Sequence, residues 1–315
     1  MEKFLSVQDA TNISELVELA KLCKYNPVKN KTVGENKTLG LIFMNLSLRT
    51  RLSTQKAAIN LGMNVMIMNF TGEGWALETE EGVVMDGSNA EHIKEAAAVV
   101  GEYCDVIGLR SFPTLKDREY DYSEPVLHSF VKHAGVPVIN LESSTRHPLQ
   151  SLADVLTIDE LKTKNKPKVV LSWAPHPRAL PQSVPNSFSE WINQYDCEFV
   201  IANPVGFDLA EEFVGNAKVI HDQHIAFEGA DFIYAKNWSS FKNYGETTDK
   251  FNSWMIDSEL MALTNNAKFM HCLPVRRNVV VADEVLDSEQ SVVINEAGNR
   301  VWAAQAVLLS ILKSL

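Results

Sequence analysis

The sequence contains few cysteines and no long hydrophobic run. Four cysteines occur in 315 residues, far apart and without C-x-x-C spacing, which argues against a disulfide scaffold or a cysteine-rich metal domain. No apolar stretch approaches the roughly 20 residues of a membrane-spanning helix. Residues 1–16 lack the basic and apolar segments of a signal peptide. We therefore predict a reduced, cytoplasmic protein.

Positive charge is also scarce. The formal net charge is −11 and no lysine/arginine run is present, so we expect neither nucleic acid nor a membrane as a partner. The glycine fingerprints G-x-G-x-x-G and G-x-x-x-x-G-K-[ST] are missing as well, which argues against a dinucleotide-dependent oxidoreductase and a P-loop NTPase. We expect no cofactor and no metal ion.

Short β-rich apolar runs alternate with helical patterns along the chain. Predicted strands lie at residues 38–44, 64–70, 104–110 and 136–141, and again at 168–173, 197–203, 230–236 and 268–273. Predicted helices include 50–61, 91–101, 188–195 and 300–315. At 315 residues the chain exceeds the usual size of a single core. The pattern predicts an α/β protein with two doubly wound parallel-sheet domains and a boundary near residues 150–165.

The first predicted strand runs into a turn that is rich in hydroxyl and guanidinium groups. Ser47, Arg49, Thr50 and Arg51 stand where the next helix begins. Free backbone N–H groups at a helix N-terminus attract anions, and an arginine fork matches phosphate oxygens. The turn therefore predicts an anion site, the alternative being a capped helix with two solvated arginines.

Polar side chains follow other predicted strands, where open α/β sheets bind ligands. In the first half these residues are Arg110, Glu142, His147 and Gln150, and in the second half His176, Arg178, Lys236, Cys272 and Arg276. Each single residue has a plain structural alternative, because a lone histidine is more often structural and a strand-end lysine is often just exposed. Their common position favours function.

Three segments resemble the signatures of the transcarbamylases, the aspartate/ornithine carbamoyltransferase superfamily. They are Ser47-Leu48-Arg49-Thr50-Arg51, His147-Pro148-Leu149-Gln150 and His271-Cys272-Leu273-Pro274. The resemblance covers nearly the whole chain. It implies a carbamoyl-phosphate domain (residues 1–150 plus a C-terminal helix, 300–315, packed back on it) and an amino-substrate domain (151–299). The anion of the first turn would then be the phosphate of carbamoyl phosphate.

The resemblance also implies roles for individual residues. Carbamoyl phosphate would contact Ser47, Leu48, Arg49, Thr50, Trp75, Arg110, His147, Pro148, Leu149, Gln150, Cys272, Leu273 and Arg300. Arg110, His147, Gln150 and Cys272 would be the catalytic residues, since preorganised donors must meet the oxyanion and the departing phosphate. For Cys272 the alternative is a buried strand-end cysteine without a direct role.

The second substrate is indicated by a departure from the family pattern. Ornithine transcarbamylases bind the free α-amino group with an aspartate and a Ser-Met-Gly loop, whereas this chain has Lys236 at that aspartate's position and lacks the loop. Two like charges would repel. The chain therefore resembles the acylornithine transcarbamylases of arginine biosynthesis, which implies that Glu142, His176, Lys236, Arg276 and Ala90 bind the acylornithine, with Arg178 as a weaker candidate.

Two positions bear on the acyl group. Acetylornithine transcarbamylases carry an acidic residue at the place of Ala90 and a lysine at that of Gln305. A carboxylate at position 90 would repel the second carboxylate of a succinyl group, so Ala90 favours N-succinyl-L-ornithine, with N-acetyl-L-ornithine as the alternative. We also expect a helix N-terminus near Glu91 to face that carboxylate. The alternative is that Ala90 only occupies the start of a helix and has no role in substrate binding.

Trp75 stands in the stretch 71–92, which has no periodic core pattern. In the transcarbamylases such a loop reaches a neighbouring subunit's active site, which implies a homotrimer with Trp75 contacting carbamoyl phosphate in trans. The alternative is a tryptophan packed on its own domain. Two other functions remain open at this point: an ornithine carbamoyltransferase, and a non-catalytic anion-binding protein that kept the fold.

Overall fold

The computed structural model describes residues 1–70, 74 and 76–315, and it divides the chain into two compact units. Unit 1 comprises Met1–Thr114, Glu119–Leu149 and Arg300–Leu315, and unit 2 comprises Leu115–Arg118 and Gln150–Asn299. Each unit contains its own parallel sheet. The chain thus has two parallel-sheet α/β units, as predicted from the alternating strand and helix patterns.

Unit 1 is built on a four-stranded sheet in the order β2-β1-β5-β6. Its strands are β1 (Thr38–Phe43), β2 (Asn64–Asn69), β3 (Leu77–Glu78), β4 (Glu91–His92), β5 (Val106–Arg110) and β6 (Val138–Glu142), the short β3 and β4 forming a separate parallel pair. Its helices are α1 (Ile13–Tyr25), α2 (Arg49–Asn60), α3 (Ile93–Tyr103), α4 (Arg118–Ser123) and α5 (Pro125–His133), preceded by a 3-10 helix (Val7–Asp9). Helix α6 (Pro148–Leu161) begins in this unit.

Unit 2 is built on a five-stranded sheet in the order β11-β10-β7-β8-β9. The strands are β7 (Lys168–Trp173), β8 (Glu198–Ala202), β9 (Lys218–Ile220), β10 (Phe232–Lys236) and β11 (Lys268–Met270). The helices are α7 (Ser183–Ile192), α8 (Glu211–Val214), α9 (Gln223–Phe227), α10 (Ser258–Ala262), α11 (Asp283–Leu286) and α12 (Val293–Leu312), with a 3-10 helix at Asn252–Trp254. Helix α12 begins in unit 2 and its last part belongs to unit 1.

The strand order of each sheet reverses at one point. In unit 1 this point lies between β1 and β5, with Phe43 opposite Arg110, and in unit 2 between β7 and β10, with Trp173 opposite Lys236. Ligands of open α/β sheets bind beyond the carboxyl ends of the strands at such reversals. Arg110 and Lys236 are the last residues of their strands, so the fold places both where sheets of this kind bind ligands.

Helix α2 ends as its sequence predicts. Gly62 adopts a φ of +83°, and a Cβ at that position would lie 2.0 Å from the carbonyl oxygen of Lys31. Only glycine fits a positive φ at such a close approach. The predicted helix 50–61 is therefore confirmed to within one residue at each end.

Three other predicted helices are confirmed, but their predicted bounds were wrong. The C-terminal helix begins at Val293, not at residue 300, and therefore Arg300 lies inside it. The helix predicted from Glu91 begins at Ile93, because Glu91 and His92 pair with Leu77 and Glu78 as β4 and β3. The helix predicted at 188–195 spans Ser183–Ile192.

The hydrophobic cores lie around the two sheets. In unit 1, Ile107, Leu109 and Phe130 are fully buried in one cluster, and in unit 2 Ile233 and Phe269 are fully buried in another. No helix in the described ranges is long and apolar enough to cross a membrane.

Candidate functional site

Four charged or polar side chains of unit 1 form a buried cluster beyond the ends of β5 and β6. Arg110 donates from Nη2 to Glu142 Oε2 at 3.0 Å and from Nε to the same oxygen at 3.3 Å. His147 Nε2 lies 3.6 Å from that oxygen and 3.3 Å from Nη2 of Arg300. All four residues are at least nine-tenths buried. Strand ends and the helix α12 thus bring together residues that are far apart in the sequence.

Thr50 joins this cluster to the turn after β1. Its hydroxyl oxygen accepts a hydrogen bond from Arg300 Nη2. Helix α2 begins at Arg49 without a side-chain cap on its first backbone N–H groups. Uncapped N–H groups and the helix dipole favour a bound anion at that end. Unit 1 therefore has an uncapped helix terminus, the kind of position that favours an anion, with Arg300 bonded to its first turn.

Arg110 is fixed from several sides. Its Nη1 donates to the carbonyl oxygens of Asn45 and Leu46, and its guanidinium carbon lies 4.0 Å from the centre of the Phe112 ring. These contacts tie the arginine to the first residues of the turn after β1. A guanidinium held in this way is preorganised for an anion.

Glu142 was predicted to bind the acylornithine, and the structure places it in unit 1 beside Arg110 and His147. Ala90 is exposed, and its backbone N–H donates to the carbonyl oxygen of Ala76 at 3.2 Å. The helix N-terminus expected near Glu91 lies two residues further on, since α3 begins at Ile93, and the backbone N–H of Lys94 in its first turn donates to the His92 side chain. Trp75 lies outside the described residues.

Unit 2 contains a group of cationic side chains near the reversal of its sheet. Arg276 donates from Nε to Nε2 of His176 at 3.1 Å, and Nδ1 of His176 lies 2.9 Å from the carbonyl oxygen of Arg178. Lys236 is 9 % exposed, so the alternative of a simply exposed strand-end lysine was wrong. Cationic side chains gathered in this way favour an anionic ligand.

The pKa of His176 is lowered by partial burial and by the charges of Lys236, Arg276 and Arg178, against the opposing effect of the Arg178 carbonyl. Since Arg276 donates to Nε2, the neutral imidazole fits this contact. Desolvation and nearby cations both disfavour the charged imidazolium. Both effects therefore favour the neutral imidazole of His176.

A pH dependence follows from this shift. We expect the pKa of His176 in the folded protein to lie below its ordinary value of about 6.5. The contribution of His176 to the free energy of unfolding is therefore present above that value and is lost as the pH falls toward the folded-state pKa. Lys236→Met should raise the pKa, because it removes one cation. NMR titration of histidine-labelled protein measures the His176 pKa in the wild type and in Lys236→Met, and His176→Gln assigns the signal. Arg277→Met is the control, because it removes an exposed cation that is paired with Asp287. An unshifted wild-type pKa would contradict the expectation.

Gln150 and Cys272 lie in a second buried cluster of unit 2. Gln150 is completely buried and donates from Nε2 to Oδ1 of Asp154 at 2.7 Å and to Oε1 of Glu296 at 3.3 Å. The other oxygen of Glu296 accepts from the backbone N–H of His271 at 2.8 Å. The sequence reading missed Asp154 and Glu296. The i, i+4 spacing of Gln150 and Asp154 on one helix was the available signal.

Cys272 and Leu273 follow β11 in this cluster. Cys272 is 9 % exposed. Leu273 has a φ of +53°, which costs a non-glycine residue roughly 1–2 kcal/mol. Backbone strain of this kind persists where surrounding contacts hold it, often at functional sites. Tyr234 is fully buried nearby, and its pKa is raised by burial and then by the charges of Asp154 and Cys272.

The remaining predicted residues lie as follows. Ser47 and Arg49 are half-buried, Leu48 is exposed, and Leu149 is buried in the first turn of α6, which begins at Pro148. Gln305 is fully buried: it accepts from Asn60 at 2.9 Å and donates to the Pro27 carbonyl oxygen at 2.7 Å. Across the described ranges, no group of three histidine, cysteine or acidic side chains could hold a metal ion.

Comparison with known families matches both halves of the chain. The family model "Aspartate/ornithine carbamoyltransferase, carbamoyl-P binding domain" matches residues 2–160, and "Aspartate/ornithine carbamoyltransferase, Asp/Orn binding domain" matches residues 181–311. Together these matches cover most of the sequence.

Individual relatives are similar over their full length. An N-succinylornithine carbamoyltransferase of Bacteroides thetaiotaomicron is 54% identical over 317 residues, covering 100% of both chains. An N-acetylornithine carbamoyltransferase of Xylella fastidiosa is 36% identical over 99% of this chain and 98% of its own. A glutamate-to-alanine mutant of N-acetyl-L-ornithine transcarbamylase, complexed with carbamyl phosphate and N-succinyl-L-norvaline, superposes with a TM-score of 0.92 at 36% identity, covering 99% of this chain and 100% of that one. The chain belongs to the aspartate/ornithine carbamoyltransferase family.

Proposed function

We propose that the protein transfers the carbamoyl group of carbamoyl phosphate to the δ-amino group of N-succinyl-L-ornithine, giving N-succinyl-L-citrulline and phosphate. The observation that carries this proposal is the 54% full-length identity to an N-succinylornithine carbamoyltransferase. Lys236 at the end of β10 supports an acylated substrate, because a buried cation disfavours a free α-ammonium group there. The reaction belongs to arginine biosynthesis.

Carbamoyl phosphate is assigned to the first domain, residues 1–150 with the C-terminal helix. The uncapped start of α2, with Ser47, Arg49 and Thr50, binds the phosphate together with Arg110. His147 and Arg300, which lie 3.3 Å apart, address the carbamoyl carbonyl. Charge on both groups grows during the reaction, so fixed cations and N–H donors stabilise the transition state more than the substrate.

The acylornithine is assigned to the second domain, residues 151–299, and to Glu142. The cations Lys236 and Arg276 bind the carboxylates of the substrate, with His176 as a neutral neighbour that accepts from Arg276. Gln150 accepts from the carbamoyl amide, while Cys272 and Leu273 lie beside the reacting amine. The δ-nitrogen forms its bond to the carbamoyl carbon, the carbon–oxygen bond to phosphate breaks, and the departing phosphate takes the proton that the amine loses.

We further propose that the protein is a homotrimer in which Trp75 contacts carbamoyl phosphate bound to a neighbouring subunit. Leu48, which directly precedes helix α2, is exposed, as are Leu52 and Ile59 on the helix and Met66 and Met68 on the edge strand β2. The described parts of unit 1 thus present apolar side chains on neighbouring elements. Exposed apolar surface of this kind is typical of protein interfaces. In the proposed trimer, a second copy of this chain would cover it.

The acceptor is tested by comparing kcat/KM for N-succinyl- and N-acetyl-L-ornithine. We expect at least a tenfold preference for the succinyl substrate, which corresponds to about 1.4 kcal/mol. Ala90→Glu should erase or reverse the preference, because the new carboxylate repels the second carboxylate of the succinyl group. The binding of N-succinyl-L-norvaline by a glutamate-to-alanine mutant of the N-acetyl enzyme is in line with this expectation.

Ser88→Glu is the matched control, since it adds the same charge at an exposed position two residues away. It should keep the succinyl preference. A preference of the wild-type protein for the acetyl substrate would contradict the acyl assignment and leave carbamoyl transfer in place. Failure of every acylornithine to release phosphate from carbamoyl phosphate would contradict the proposed function as a whole.

A further inference from the structure

The amide of Gln150 is surrounded by carboxylate oxygens on its nitrogen side. Nε2 lies 2.7 Å from Oδ1 of Asp154 and 3.3 Å from Oε1 of Glu296. All three side chains have no exposed surface. Oε1 of Gln150, in contrast, is buried and finds no hydrogen-bond partner among the residues that the structure describes.

These contacts determine which way the amide points. A carboxylate oxygen only accepts hydrogen bonds, whereas an amide presents a donor nitrogen on one side and an acceptor oxygen on the other. A flipped Gln150 would place its own oxygen against two carboxylate groups and leave its N–H groups unmatched. Buried polar groups in such an arrangement are strongly disfavoured. Asp154 and Glu296 therefore hold Gln150 with Oε1 as the available acceptor.

Glu296 also connects this amide to the segment after β11. Its second oxygen accepts from the backbone N–H of His271, and Nδ1 of His271 accepts from the backbone N–H of Leu273 at 2.9 Å. One buried carboxylate thus contacts both the helix that carries Gln150 and the segment that carries Cys272. The predicted carbamoyl-contact residues of unit 2 are connected through it.

We propose that Asp154 and Glu296 are positioning residues for carbamoyl transfer, which hold the Gln150 amide so that Oε1 accepts a hydrogen bond from the carbamoyl NH2 group. The inference rests on the proposed function. The carbamoyl carbon is planar, so a hydrogen bond to its NH2 group fixes the direction from which the amine attacks. Loss of this orientation slows the chemical step, because small errors in placement reduce rates strongly.

The test compares Asp154→Asn, Glu296→Gln and Gln150→Ala with the wild-type protein. The first two replacements keep size and shape but introduce an NH2 group, which can donate to Gln150 and so permits the flipped amide. We expect each to lower kcat at least about tenfold. The inhibition constant of inorganic phosphate should change less than about twofold, because phosphate has no carbamoyl group to orient and its proposed contacts are elsewhere.

The decisive comparison uses the Gln150→Ala background. Because Asp154 acts through Gln150, Asp154→Asn should have little further effect on kcat once Gln150 is alanine. Asp121→Asn is the matched control. Asp121 is 2 % exposed, and it accepts a hydrogen bond from Thr114, which is not a predicted site residue. It should leave kcat near the wild-type value. Circular dichroism and thermal unfolding establish which variants are folded.

Three results would overturn the positioning role. They are an unchanged kcat in folded Asp154→Asn and Glu296→Gln, equal losses in kcat and in phosphate affinity, and full additivity with Gln150→Ala. If both carboxylate variants fail to fold, Gln150→Ala alone decides. An unchanged kcat in that variant would show that Gln150 has no role in turnover, and Asp154 and Glu296 could then not act through it. A wild-type protein without carbamoyl transfer would contradict the proposed function instead.

Discussion

Replacing His147 with alanine is expected to lower kcat about 10²–10³-fold, the usual cost of removing a preorganised group at a developing oxyanion. His147 is 3 % exposed, and its Nε2 lies between Arg300 and Glu142. In the proposed reaction it meets the carbamoyl carbonyl, where negative charge grows only as the amine attacks. The loss should therefore fall on turnover rather than on substrate binding.

The measurement separates the two effects. Steady-state kinetics give kcat and the KM for carbamoyl phosphate, and inhibition by inorganic phosphate reports the anion site alone. The phosphate inhibition constant should change only a few-fold. His128→Ala removes an exposed histidine of the same unit and should leave kcat unchanged. Equal losses in turnover and in phosphate affinity would remove the proposed role of His147 at the carbonyl.

Mixing two inactive variants should restore activity if neighbouring subunits share active sites. Trp75→Ala removes the group proposed to act in trans, and Arg110→Ala removes a proposed phosphate ligand of the same site in cis. In a randomly mixed cyclic trimer about one quarter of the sites combine an intact Arg110 with a neighbour's intact Trp75. We therefore expect up to about a quarter of wild-type activity after mixing.

The mixing experiment needs two controls. Subunit exchange is shown by mass measurement with a tagged variant, and each variant alone should keep less than about one hundredth of wild-type activity. Arg110 is paired with the buried Glu142, so Arg49→Ala at a half-buried position serves as a second cis variant. Exchanged hybrids without recovered activity would show that Trp75 serves its own chain.

The positions of the strands along the chain were predictable, because buried parallel strands leave a strong apolar pattern in the sequence. The start of the last helix was not. Glu296 and Asn299 interrupt the apolar pattern of α12, yet both are buried: Glu296 accepts from His271, and Asn299 donates to Thr157 and Glu160. Buried polar residues with specific partners look like surface residues in a sequence pattern, which explains why the predicted helix was seven residues too short at its start.

The site was predictable in its motifs and less so in its supporting contacts. Arg110, His147 and Arg300 belong to recognisable positions, but their mutual distances depend on where β5, β6 and α12 end or cross. The β3–β4 pair joins residues 77–78 to 91–92 without an apolar pattern, so no local signal could place Ala90 directly before a strand. The roles of Asp154 and Glu296 were not predicted, because aspartate and glutamate side chains usually lie at the solvent-exposed surface.

The order of synthesis has a consequence for unit 1, which includes residues 300–315. Ala304, Val307, Leu308 and Ile311 are buried there, yet a ribosome makes them only after all of unit 2. A nascent chain can complete the second unit while the first still exposes the surface that α12 will cover. Domains made first generally fold first, but here the first unit cannot complete its buried core until residues 300–315 have been made.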